Sequence, residues 1–143
     1  MNIYAVIPAA GTGSRAGFEK NKILQKVGGA SVLWRTVSAF ARNENIAGVA
    51  VCANKNERAE IERELGGFVK VLYADGGSTR TESVKNALEV LAALPCPPDY
   101  VLVHDAARPF VSQKIIDDCI KTVRMHGSAV CALPCTDTLV HAQ

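Results

Sequence analysis

Residues 3–17 read Ile3-Tyr4-Ala5-Val6-Ile7-Pro8-Ala9-Ala10-Gly11-Thr12-Gly13-Ser14-Arg15-Ala16-Gly17, an apolar run that breaks into small residues and glycines. A short apolar run of this kind suits a strand buried on both faces, as in a parallel sheet. Glycines directly behind such a strand let the backbone approach a ligand, and successive N–H groups can form an anion-binding concavity. Arg15 adds a cation at the same place. The stretch is not the dinucleotide fingerprint: Gly11 and Gly13 fit G-x-G, but Gly17 comes one residue late. A Walker-type G-x-x-x-x-G-K-[ST] is absent too.

Outward from this stretch, apolar runs alternate with helical patterns. Val32–Ala41 carries Leu33, Val37 and Phe40 on one stripe, with Ser31 as the expected N-cap. Gly48–Ala53 reads as a second strand, running into Asn54 without the acid that would hold a ribose in a dinucleotide site. A charged helix is expected over 56–65, ended by Gly66-Gly67, then a strand over 68–73. The pattern over 81–94 predicts an amphipathic helix stopped by Pro95 and Pro97-Pro98. A fourth strand is expected over 100–104, a helix over 112–126 and a fifth strand over 129–133. Such alternation predicts an α/β fold, a doubly wound and mostly parallel sheet with helices on both faces. Ligands in these folds sit beyond the carboxyl ends of the strands.

With 143 residues, 48% hydrophobic and 21% charged, the chain is expected to form one domain with a packed core. Sixteen Lys+Arg against fourteen Asp+Glu leave +2, which argues against a nucleic-acid footprint. No apolar run is long enough for a membrane span, and the N-terminus does not read as a signal peptide, so a cytoplasmic location is expected. The five cysteines (Cys52, Cys96, Cys119, Cys131, Cys135) lack the paired clusters of a zinc site. They are read as reduced, mostly buried thiols.

The residues just behind the strands are the unusual ones. Lys22 adds a second cation near the first loop, and two cations beside backbone amides suit a polyphosphate. Lys20 and Lys26 read as surface charge. Behind the third strand, Asp75-Gly76-Gly77-Ser78-Thr79-Arg80-Thr81-Glu82-Ser83 combines a glycine pair with hydroxyls, some of which act as helix caps. Arg80 either serves a ligand or braces the loop. Behind the fourth strand stands His104-Asp105-Ala106-Ala107-Arg108-Pro109-Phe110. Asp105 at a sheet edge suits Mg²⁺, which takes one or two carboxylates plus phosphate oxygens and water; its other reading is an ion pair with Arg108 or a helix cap. His104 reads as a residue that packs or hydrogen-bonds the loop rather than one that performs acid–base work. Pro134-Cys135-Thr136-Asp137-Thr138 is expected at the same edge. No arrangement suggests a covalent nucleophile, and cations, amides and one carboxylate point to phosphoryl or nucleotidyl transfer.

In order along the chain, Pro8-Ala9-Ala10-Gly11-x-Gly13-x-Arg15, Lys22, Gly76-Gly77-x-x-Arg80-x-x-Ser83-Val84-x-Asn86-Ala87-Leu88, His104-Asp105-Ala106-Ala107-Arg108-Pro109-Phe110 and Asp137-Thr138 resemble the 2-C-methyl-D-erythritol 4-phosphate cytidylyltransferases of non-mevalonate isoprenoid biosynthesis. The resemblance implies CTP over the first loop, with Pro8, Ala9, Ala10, Gly11, Gly13 and Arg15 near its base and phosphates. Gly77, Ser78 and Ser83 would hold the cytidine, Asp105 a Mg²⁺ or other divalent cation, and Ala106 and Arg108 would shape the pocket. Thr138 would lie by the methylerythritol phosphate, and Arg15 and Lys22 would neutralise the transition state. The family usually has Pro where Asn21 precedes Lys22, and often Lys where Val140 stands.

Members of that family continue further, with an arm that reaches a neighbouring subunit. By resemblance, residues 1–143 are expected to be the nucleotide-binding domain of a longer chain, and a homodimer is expected. The isolated chain is expected to bind CTP–Mg²⁺ weakly and to turn over slowly or not at all. Two other readings remain: a related cytidylyltransferase with another acceptor such as ribitol 5-phosphate, and a non-catalytic nucleotide-binding module. No nucleic-acid or membrane partner is expected.

Overall fold

In a computed structural model, which describes residues 1–11 and 21–134, the apolar runs form a four-stranded parallel sheet. Its strands are β1 (Ile3–Pro8), β4 (Gly48–Ala53), β5 (Val71–Asp75) and β6 (Tyr100–Val103). β2 (Lys26–Val27) and β3 (Ala30–Ser31) make a separate antiparallel hairpin. The helices are α1 (Val32–Ala41), α2 (Arg58–Leu65), α3 (Arg80–Ala92) and α4 (Gln113–His126).

The sheet order is β5-β4-β1-β6, all parallel. The chain therefore steps outward from β1 through β4 to β5, then crosses back to pair β6 on the other side of β1. That reversal places the helices on opposite faces, because parallel crossovers keep one hand. Period-two alternation divides the central strands accordingly. Ile3, Ala5, Ile7, Val49 and Val51 pack with Leu33, Val37, Phe40, Ile61, Leu65, Ile116 and Ile120, from α1, α2 and α4. Val6, Ala50 and Cys52 face Ala87 and Leu91 of α3. Burial pushes the Cys52 thiol up to about 11, and its Sγ donates to the Ser83 carbonyl at 3.1 Å.

Three helices start on the side-chain caps their sequences offer. Ser31 accepts from the Trp34 amide at 3.0 Å, Thr79 from Glu82 at 3.1 Å and Ser112 from Ile115 at 3.3 Å. α2 begins at Arg58 rather than 56, because Asn54 Oδ1 takes the Asn56 amide at 3.2 Å and holds a turn there. β5 begins at Val71 rather than 68: Phe68 is still in a turn, its N–H bonded to the Leu65 carbonyl, its ring against Trp34.

The expected fifth strand over 129–133 is not formed. Gly127 ends α4 in the left-handed conformation, and the chain then runs past that helix, the Cys131 and Cys119 sulfurs being 3.2 Å apart. Val130 and Leu133 are each 91% exposed. An apolar run signals a preference for burial, but a strand also needs a ladder partner. None of the described residues pairs with the free edge of β6. No helix among the described residues is long and apolar enough to cross a membrane.

Candidate active site

The strand order reverses between β1 and β6, so the loops behind these two strands splay apart and open a crevice at the sheet's carboxyl edge. A cleft of about 880 Å³ lies there. Its walls come from Pro8, Ala9, Ala10 and Gly11 behind β1, Asn54, Lys55 and Asn56 behind β4, and Gly77, Ser78, Thr79, Arg80 and Ser83 at the start of α3. Asp105, Ala106 and Ala107 close the β6 side, and Lys22 stands at the mouth on a short 3-10 turn, Lys22–Leu24.

The structure brings Pro8, Ala9, Ala10, Gly11, Lys22, Gly77, Ser78, Ser83, Asp105 and Ala106 to one cleft. Arg108 lies just outside it, lining an adjacent hollow and reaching Asp105 Oδ2 with Nε at 3.0 Å. Gly13, Arg15, Cys135, Asp137 and Thr138 lie outside the described residues.

The α3 loop is held by its own side chains. Ser83 Oγ accepts the Gly77 amide at 3.0 Å and donates to the Thr79 carbonyl at 3.0 Å. Ser78 gives both its amide (2.7 Å) and its hydroxyl (2.6 Å) to Glu82 Oε2. The hydroxyl and amide of Ser78 hold the Glu82 carboxyl below its usual range. This tie therefore contributes once the carboxyl is ionised in the unfolded chain, and is lost as pH falls through the lowered folded value.

Asp105 forms the ion pair with Arg108 that its sequence position allowed, and a second one with Arg80. Its Oδ1 accepts from Arg80 at 3.0 Å and its Oδ2 from Arg108, so it ties the α3 loop to the β6 loop. Both pairs are well exposed, and pairs of this kind contribute about 0–1 kcal/mol. No group of three or more His, Cys, Asp or Glu among the described residues could hold a metal ion. One carboxylate flanked by two guanidinium groups cannot retain a dication alone. It fits an ion that arrives on a triphosphate, whose charge offsets the arginines and whose oxygens fill the coordination shell. His104 is a packing residue as expected: its Nε2–H donates to the Arg108 carbonyl at 3.0 Å and its ring rests on Phe40.

Two supports were not read from the sequence. The short hairpin turns on Gly28 and Gly29, both at positive φ (57° and 85°), and Arg35 holds the Val27 carbonyl from α1 at 2.9 Å. The Gly-Gly pair was the available signal. Thr36, fully buried within the apolar stripe of α1, donates to the Ala106 carbonyl at 2.8 Å and thereby fixes the β6 loop. A hydroxyl inside an apolar stripe was its only mark. Thr36→Val keeps the shape and removes that donor, and is expected to lower unfolding free energy by about 1–3 kcal/mol in urea titration. A loss under about 0.3 kcal/mol would show that the contact carries no weight.

A doubly wound sheet with small residues, a lysine and a single carboxylate at its switch point has the arrangement of an α/β protein with a small-molecule site at that edge. The model of the family "IspD: 2-C-methyl-D-erythritol 4-phosphate cytidylyltransferase" matches residues 3–143. The chain belongs to that family. It is 34% identical over 137 residues to the 2-C-methyl-D-erythritol 4-phosphate cytidylyltransferase of Bacillus mycoides, covering 94% of this chain and 59% of the relative. Among solved structures it is similar to the Francisella tularensis 2-C-methyl-D-erythritol 4-phosphate cytidylyltransferase, at 33% identity and TM-score 0.67, with 87% of this chain and 52% of that one covered. A 4-diphosphocytidyl-2C-methyl-D-erythritol synthase superposes at TM-score 0.80 with 28% identity, covering 99% of this chain and 64% of that structure. The chain thus spans about 59% of the length of the curated relative.

Proposed function

We propose that this chain binds CTP in the switch-point cleft and transfers its cytidylyl group to 2-C-methyl-D-erythritol 4-phosphate, releasing pyrophosphate, as a step of isoprenoid biosynthesis. The observation that carries the reading is the cleft itself: the small-residue loop behind β1, Lys22 and Asp105 face one space of about 880 Å³, in the range of small-molecule sites. In this reading a phosphate oxygen of the acceptor attacks the α-phosphorus of CTP. The bond from that phosphorus to the bridging oxygen breaks, and pyrophosphate leaves with the electron pair. Pro8, Ala9, Ala10 and Gly11 admit the nucleotide closely, and Gly77, Ser78 and Ser83 hold the cytidine.

Lys22, with Arg15, offsets the negative charge that builds at the α-phosphorus. Asp105 is the residue that would hold a divalent cation, which when bound draws charge from the phosphate oxygens. Ala106 and Arg108 shape the pocket, Arg108 from the adjacent hollow, and Thr138 serves the acceptor. The protein acts in the cytoplasm, where a homodimer is the expected assembly.

The test is calorimetric titration with nucleoside triphosphates, followed by pyrophosphate release with an acceptor panel. CTP should bind in preference to UTP, ATP and GTP, and only with Mg²⁺ present; Mg²⁺ alone should give no saturable heat. Release should be slow from residues 1–143 alone, and where it occurs it should require methylerythritol phosphate and not ribitol 5-phosphate. Release with ribitol 5-phosphate instead would move the acceptor assignment. Tight CTP binding without acceptor-dependent release would leave a nucleotide-binding module, and equal binding of all four nucleotides would sink the reading.

A further inference from the structure

Behind the cleft wall, one carboxylate in the segment 54–57 ties that segment to the turn at Asn21 and, through two asparagines, to the loop behind β1. Glu57 Oε2, at the start of α2, accepts from Asn21 Nδ2 at 3.0 Å and from Asn54 Nδ2 at 3.0 Å. Each amide spends its second hydrogen on the loop behind β1: Asn21 on the Gly11 carbonyl at 2.8 Å, Asn54 on the Ala10 carbonyl at 3.4 Å. The two side-chain oxygens are used as well. Asn21 Oδ1 takes the Ile23 amide at 3.4 Å, and Asn54 Oδ1 takes the Asn56 amide. Asn21 is only 5% exposed, and it immediately precedes Lys22. The network thus fixes the floor of the cleft and the turn that carries its lysine against one acceptor.

We propose that Glu57 is a positioning residue for the nucleotide cleft: through Asn21 and Asn54 it sets the place of Ala10 and Gly11 and of the turn bearing Lys22. A carboxylate suits the task because it only accepts, and one of its oxygens can take two N–H groups. The position before Lys22 explains why an asparagine can stand there. A proline fixes the entry to such a turn through its ring, whereas Asn21 fixes it through side-chain bonds that need Glu57. The proposal rests on the CTP-binding reading for its functional consequence, but its geometric content does not.

Two conservative substitutions separate geometry from charge. Glu57→Gln keeps an acceptor oxygen of the same reach without the charge, and Glu57→Asp keeps the charge on a shorter arm. Both would be compared with Glu57→Ala. The readouts are amide hydrogen exchange of residues 9–11 and 21–25 without ligand, and CTP–Mg²⁺ affinity by calorimetry. Glu57→Ala and Glu57→Asp are expected to raise exchange in both segments and to weaken CTP by about ten- to a hundredfold, as for an ångström-scale misplacement. Glu57→Gln is expected to restore both. If Glu57→Ala does not fold, the Asp and Gln variants decide alone.

Unchanged exchange in the alanine and aspartate variants would overturn the proposal whatever CTP does. So would raised exchange with wild-type CTP affinity, or rescue by Asp rather than Gln. Should the unaltered protein itself fail to bind CTP, the functional reading falls, while the exchange pattern still upholds or overturns the clamp.

Discussion

Lys22→Ala should reduce the rate of cytidylyl transfer by about a hundred- to a thousandfold while leaving the fold intact. The lysine is exposed at the mouth of the cleft, so its removal opens no core. In the proposed function its value lies in charge. A cation held beside the α-phosphorus meets more negative charge in the transition state than in bound CTP, and losing one such contact costs about 10²–10³ in kcat. Ground-state binding should change less, so kcat should fall with at most about a tenfold rise in the CTP dissociation constant. Lys22→Arg should recover part of the rate, since the charge returns on a planar group of different reach. A kcat within about threefold of the unaltered enzyme would remove Lys22 from the chemistry.

Gly76→Ala should damage both stability and nucleotide binding, for a reason unrelated to backbone conformation. Neither Gly76 nor Gly77 has a positive φ; among the described residues the glycines that do are Gly28, Gly29 and Gly127. What Gly76 provides is absence of a side chain. A Cβ there would collide with the Cβ of Ala10 and press on the Ala53 carbonyl group at 3.3 Å. Neither neighbour is the movable end of a long side chain. The Gly76 amide is also strapped to the Ala53 carbonyl at 2.8 Å, so the strain passes into the loop behind β1. Overpacking of this kind costs about 1–3 kcal/mol, and the displaced Ala10 should weaken CTP at least tenfold, or roughly 1.4 kcal/mol. Gly67→Ala is the control, because nothing lies within 4 Å of its added Cβ. It should stay within about 0.5 kcal/mol of the unaltered protein in the same urea titrations. Equal behaviour of the two variants would refute the close-approach explanation.

These two predictions mark how far the sequence could be read. Lys22 and the glycine pair were both visible, because charge and glycine stand out at a strand end. The reason for Gly76 was not: a tight turn and a close approach look alike in one dimension. Asp105 was legible as an ion-pair partner of Arg108, and the structure adds that Arg80 holds it as well. Thr36, Asn54 and Glu57 passed unread, since each has a partner far along the chain (Ala106, Ala10 and Asn21), and side-chain bonds leave no periodic trace. The run over 129–133 misled in the opposite sense, its apolar character being real and its strand partner absent from the described residues.

By itself the sequence determined the alternation of strands and helices, the caps that start α1, α3 and α4, and the residues that meet at the carboxyl edge of the sheet. Those features are local, governed by hydrophobic period and by hydroxyls beside free amides, and so are written in consecutive residues. Only the tertiary structure decided that β6 pairs with β1, that Gly76 leaves room for Ala10, and that Glu57 joins Asn21 to Asn54. Each of these depends on segments brought together by the crossover, where steric contact and hydrogen-bond geometry act across space rather than along the chain.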